Sequence, residues 1–118
     1  MHKIYVYGTL RPGKVSNVSK GRGFLSDLGS FPGVKLDPEG PEFTVESIEV
    51  DDKTLERLDR YEGYRASNPE SSLYIRKPFL DGETYEYNGV SSGANVESGD
   101  WLIHTGRNQG SASSLIPA

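Results

Sequence analysis

Hydrophobic and polar positions alternate along this chain in several distinguishable ways. Ile4-Tyr5-Val6-Tyr7 is an unbroken run of β-branched and aromatic residues, apolar on both faces, which predicts a central strand that ends at Gly8. Residues 11–23 mix Pro, Gly, Ser, Asn, Lys and Arg without a period and read as a loop. Residues 29–41 read as turn-rich, with Phe31-Pro32-Gly33 and Pro38-Glu39-Gly40-Pro41. From Phe43 to Val50 the pattern is that of a strand, with Ile48 and Val50 on one face and Ser47 and Glu49 on the other.

Asp51-Asp52 then offers an N-cap and acidic charge for a helix from Lys53 to Tyr61 or Glu62, with Gly63 placed to end it. Residues 65–72 are polar loop. Leu73 to Phe79 and Glu83 to Tyr87 read as two strands joined by a two-residue turn at Asp81-Gly82, which sets Arg76 opposite Tyr87 and Lys77 opposite Glu86. Trp101 to Ile103 is read as a last short strand. The expected domain covers residues 1–104, and residues 105–118 lack an apolar period and read as a flexible tail.

Composition narrows the chemistry. A chain of 118 residues holds one domain and one core. Thirteen Lys and Arg against seventeen Asp and Glu give a net charge of -4, which speaks against binding a nucleic acid polymer. The absence of cysteine excludes disulfides, thiolate zinc sites and a cysteine nucleophile. His2 and His104 are far apart and suggest no metal site. No apolar run is long enough to span a bilayer and no signal-peptide pattern opens the chain, so the cytosol is the expected compartment and no membrane partner is expected.

One residue departs from the pattern of its own helix. With Leu55 at zero and about 100° per residue, Leu58 and Glu62 fall within about 60° of it, so Glu62 lies on the apolar stripe. It also stands in the last turn, where the helix dipole repels negative charge. Desolvation and dipole both favour the protonated form, and a carboxyl tuned upward suits acid/base work near neutral pH. The loop after the first strand, Gly8 to Lys14, has the spacing G-x-x-x-x-G-K. However, Val15 stands where a P-loop needs Ser or Thr for magnesium. A small cradle of backbone N–H groups for an anion fits the loop better.

Together these segments resemble the gamma-glutamylcyclotransferase-like family. Tyr7-Gly8-Thr9-Leu10 is similar to its YG(S/T)L signature, and Phe31-Pro32-Gly33 to its (Y/F)PG turn. Leu58-Asp59-Arg60-Tyr61-Glu62-Gly63-Tyr64 is similar to its LDxxEGY helix end, and Tyr74-Ile75-Arg76 to its YxR strand. Glu97-Ser98-Gly99-Asp100-Trp101 is similar to a closing segment of small bacterial members. The order and spacing hold from about residue 3 to 103.

The resemblance implies an α+β fold, a small mixed β-barrel with one main helix packed against it. It implies Glu62 as the catalytic acid/base and a substrate-binding set of Tyr7, Gly8, Thr9, Leu10, Tyr74 and Arg76. The reaction implied is cofactor-independent cyclisation of a gamma-glutamyl amine or amino acid to 5-oxoproline, with no metal. The competing expectation is a non-catalytic module of the same fold that captures a small anionic metabolite or a nucleotide signal through the loop N–H groups and Arg11, Lys14, Arg22 or Arg76.

Overall fold

A computed structural model describes residues 1–8, 10–13, 15–29, 31–89 and 93–106. In chain order its elements are β1 (His2–Val6), β2 (Val18–Asp27), β3 (Pro32–Leu36), β4 (Glu42–Val50), α1 (Asp52–Tyr61), β5 (Tyr74–Phe79), β6 (Gly82–Tyr87), β7 (Ala94–Asn95) and α2 (Trp101–Thr105). The sheet runs β3-β2-β4-β1-β6-β5, with β7 added to β2. All pairs are antiparallel except β1 with β6. β1 is central, as its two-sided apolar pattern predicts.

The sheet curls into a half-barrel whose ends are joined by hydrogen bonds outside the strand ladders. Lys35 Nζ donates to the Tyr87 carbonyl at 2.7 Å, Leu36 N to Glu86 Oε2 at 2.8 Å, and the Tyr74 hydroxyl to the Pro32 carbonyl at 2.6 Å. Inside the curl, edge-on ring pairs link Tyr5 to Phe79 and Tyr7 to Phe43, with centroids 5.4 and 5.9 Å apart.

α1 forms as its sequence predicts. The Asp51 side chain accepts from Thr54 N at 2.8 Å, and Gly63 takes φ +71° to end the helix. Leu55 is buried and Leu58 packs against the core, so the apolar stripe is the packed face.

Four expectations are corrected. Residues 11–23 are not all loop, because β2 begins at Val18 and runs ten residues. Its first half pairs β4 and its second half pairs β3, so a bend at Arg22-Gly23 hides the strand's period. Residues 29–41 contain β3, in which Gly33 lies against Leu28 and Tyr87 where a Cβ would meet side chains at 2.7 and 2.9 Å.

The β5–β6 turn is formed by Leu80 and Asp81, and the register is Arg76 opposite Tyr85 and Lys77 opposite Thr84. Gly82 belongs to the strand because a Cβ there would lie 2.3 Å from the Lys3 carbonyl oxygen; it serves close strand approach, not the turn. Finally, Trp101–Ile103 is helical, since the Asp100 carboxylate accepts from Leu102 N and Ile103 N and caps α2. Thr105 belongs to α2, Gly106 ends it, and residues 107–118 of the expected tail lie outside the described residues.

Candidate functional site

The hairpin and α1 meet over one face. Tyr74, Arg76, Tyr85 and Tyr87 share a face of β5–β6 by strand alternation and pairing, and the Tyr85 hydroxyl reaches Asp59 of α1 at 2.7 Å. Glu62 follows the last residue of α1 on the helix's packed side and is fully buried, 0% exposed. The desolvation expected from the helical pattern is therefore present.

Besides its helix neighbour Tyr61, three phenols lie within electrostatic reach of this carboxyl: Tyr7 at the end of β1, Tyr74 on β5 and Tyr85 on β6. Burial is the main reason that each is pushed well above the ordinary tyrosine range. For Tyr7 the next causes are Tyr74 and Glu62, for Tyr74 the next is Glu62, and for Tyr85 it is the hydrogen bond to Asp59.

Each of their protons is already committed. Tyr7 donates to the Tyr85 carbonyl at 2.7 Å, Tyr74 to the Pro32 carbonyl at 2.6 Å and Tyr85 to the Asp59 carboxylate at 2.7 Å. A phenol has one proton and these partners only accept, so none of the three is a ready proton donor to anything else.

The structure thus brings Glu62, Tyr7 and Tyr74 together. Arg76 lies beside them, with Nη1 3.6 Å from Asp59 Oδ2, Nε 3.7 Å from Glu83 Oε2, and its guanidinium over the Tyr64 ring at 5.6 Å. Gly8 is buried and its carbonyl accepts from Arg11 N at 3.1 Å, while Leu10 packs half-buried against the core. Thr9 and Lys14 lie outside the described residues.

Arg11 is not available as the anion ligand that the competing expectation makes it. It is buried, with Nε 2.8 Å from Glu46 Oε1 and Nη1 2.8 Å from Asp100 Oδ1. Glu46 also accepts from Gly13 N at 3.0 and 2.9 Å. This buried network pins the loop after β1 to β4 and to the cap of α2. Arg22, by contrast, is exposed and donates one hydrogen bond to the neutral Gly40 carbonyl at 3.1 Å, which does not neutralise its charge.

Sequence reasoning missed Glu46, and the signal was available. Glu46 shares the face of β4 that carries Ile48 and Val50 and is fully buried. Asp59 and Tyr85 were likewise not singled out. Only pairing across elements shows that they belong beside Glu62.

The architecture and this site define a small α+β half-barrel that holds a buried carboxyl among phenols at the end of its main helix. The family model described as "Gamma-glutamyl cyclotransferase, AIG2-like" matches residues 4–103, and the chain belongs to that family. Among solved structures, an uncharacterized protein from Pyrococcus horikoshii is similar at 24% identity and TM-score 0.63, with 87% of this chain and 92% of that chain covered. YtfP from Escherichia coli is similar at 27% identity and TM-score 0.52, covering 87% and 98%. YkqA from Bacillus subtilis is similar at 19% identity and TM-score 0.62; the match covers 91% of this chain but 43% of that one. Among curated proteins none matches.

Proposed function

We propose that this chain cyclises a gamma-glutamyl amine or gamma-glutamyl amino acid to 5-oxoproline, releasing the amine, with Glu62 as acid/base. The observation that carries this reading is the full burial of Glu62 at the end of α1, beside phenols whose protons are spent elsewhere. Among these groups the carboxyl is left as the proton carrier.

The substrate's α-amine attacks its own γ-carbonyl, forming the ring C–N bond. Glu62 takes a proton from the attacking nitrogen and returns it to the leaving nitrogen as the original amide C–N bond breaks. Holding amine and carbonyl in one folded rotamer supplies the proximity advantage of an intramolecular reaction. In this reading the loop from Tyr7 to Leu10 holds the glutamyl carboxylate and Tyr74 lines the pocket. Because Glu62 is fully buried, the groups that cover it move aside to admit substrate.

The anion-capture alternative is weakened at Arg11, which is spent on Glu46 and Asp100. The deciding experiment is 5-oxoproline release from a panel of gamma-glutamyl amines and amino acids, with Glu62→Gln beside the unsubstituted chain. We expect turnover that falls about 1,000-fold in Glu62→Gln, in the middle of the usual contribution of a positioned general acid/base. A folded, unsubstituted chain that turns over no panel member would overturn the enzyme reading in favour of a binding module.

A further inference from the structure

The charged groups around Glu62 are unevenly distributed, and they have no role in the reaction as described. Asp59, on α1, precedes the C-cap Glu62 by three residues, and the cap keeps helical backbone angles, so the spacing puts the two side chains on neighbouring positions of one face. Its Oδ1 accepts the Tyr85 hydroxyl at 2.7 Å, and its Oδ2 lies 3.6 Å from Arg76 Nη1. Arg76 is itself held loosely. Its two ion-pair distances, 3.6 and 3.7 Å, exceed hydrogen-bond length, and its Nε and Nη1 are buried with no hydrogen-bond partner among the described residues.

Among the described residues, the phenols that face Glu62 are neutral. Tyr7 from β1, Tyr74 from β5, Tyr85 from β6 and Tyr61 from α1 itself are phenols raised above their ordinary value, chiefly by burial. They carry no charge near neutral pH. On β6, Glu83 faces Arg76, and Glu86 pairs with Lys77 at 2.5 Å. Among the described residues, the charges that meet beside Tyr85, itself within electrostatic reach of Glu62, are Asp59 and Arg76, with Glu83 on the far side of the guanidinium.

We propose that Asp59 and Arg76 are an opposed pair of positioning residues beside Tyr85 that set the electrostatic field in which the Glu62 carboxyl takes up and releases its proton. This rests on the reading of Glu62 as the acid/base, and it gives Arg76 a role that does not require contact with substrate. The geometry makes the pair separable. In Asp59→Asn an oxygen remains to accept the Tyr85 hydroxyl, while one negative charge is lost and Arg76 is opposed by Glu83 alone. Glu62 then holds its proton less tightly. In Arg76→Gln the positive charge is lost, Asp59 is left unopposed, and Glu62 holds its proton more tightly.

The test is a pH titration of the Glu62 side-chain carboxyl by carbon-13 NMR, with its signal assigned by its loss in Glu62→Gln. We expect the midpoint to fall by about one pH unit in Asp59→Asn and to rise by about one unit in Arg76→Gln, with Arg76→Lys near the unsubstituted value. General loosening of the fold would move both variants the same way, and opposite signs are what a charge pair requires. Should Arg76→Gln not fold, Arg76→Met, which keeps an apolar stem over Tyr64, takes its place with the same expected sign.

In the same variants the acid limb of kcat/KM for 5-oxoproline release should follow the titration midpoint. Midpoints that move together, or stay within about 0.3 unit, overturn the proposal even if the unsubstituted chain is active. Opposite shifts in a chain with no turnover uphold the pair and overturn only the reaction.

Discussion

At the residue scale, the fold depends on carboxylates in unlike settings. Glu62 breaks the pattern of its helix and can be picked out from the sequence for that reason. Glu46 obeys the pattern of its strand in position and violates it in polarity, yet its partner Arg11 is remote in sequence and lies in a segment with no period. Burying a charge is tolerable only when it is paired. Removing one partner of a buried pair leaves the other uncompensated, typically at roughly 3–5 kcal/mol. Arg11→Met should therefore lower unfolding free energy by about that amount, read from urea denaturation. A loss below about 1 kcal/mol would mean that Gly13 N–H and the remaining surroundings satisfy Glu46 without Arg11. The same buried network explains why single-sequence reasoning offered Arg11 as an anion ligand: no local feature distinguishes an arginine that will meet two carboxylates from one that is open to a ligand.

At the element scale, the parts legible in the sequence are those whose signals are local. β1, β4 and α1 were readable because an apolar run, an alternation and an N-cap each lie within the element they form. β2 and β3 were not, because β2 changes partner partway along and β3 is built on Pro32 and Gly33, residues that ordinarily signal turns.

The hairpin was found but set two residues out of register, and the cause is testable. Leu80 adopts φ +50°, a conformation that costs a side chain of its kind about 1–2 kcal/mol. Leu80→Asn should be neutral or stabilising by up to about 1 kcal/mol, because Asn tolerates that conformation. Gly82→Ala should destabilise by at least about 2 kcal/mol, since the new Cβ would meet the backbone of Lys3. Thermal denaturation of the two variants decides between the assignments, because a turn at Asp81-Gly82 would leave Leu80→Asn without benefit.

At the scale of the whole molecule, three aspartates fasten separate parts and share one pH response. Asp81 is lowered by its hydrogen bonds from the Tyr5 hydroxyl and Lys3, and ties the hairpin turn to β1. Asp27 is lowered chiefly by His104 and ties β2 to α2, while Asp51 is lowered chiefly by Thr54 at the cap of α1. A carboxyl with a depressed folded value contributes stability above its unfolded value, near 3.9, and loses it as pH falls through the folded value. The melting temperature should thus be level from neutral pH to about 5 and fall steadily below about 4. The fall should be shallower in Asp81→Asn. An identical acid slope in that variant would exclude Asp81 as a contributor. Among the described residues no helix is long and apolar enough to cross a membrane.

The parallel pairing of β1 with β6 has a consequence for synthesis. Ile4 and Tyr5 find one partner in β4 but the other only at Glu83 and Thr84. On the ribosome the most apolar strand of the chain therefore emerges first and waits, one edge open, until nearly the whole domain has been made. Non-local pairing of this kind is slow and leaves strand edges exposed to other chains. The nascent chain is accordingly at greatest risk of association early in translation, and holdase chaperones would have most to offer it before β6 emerges.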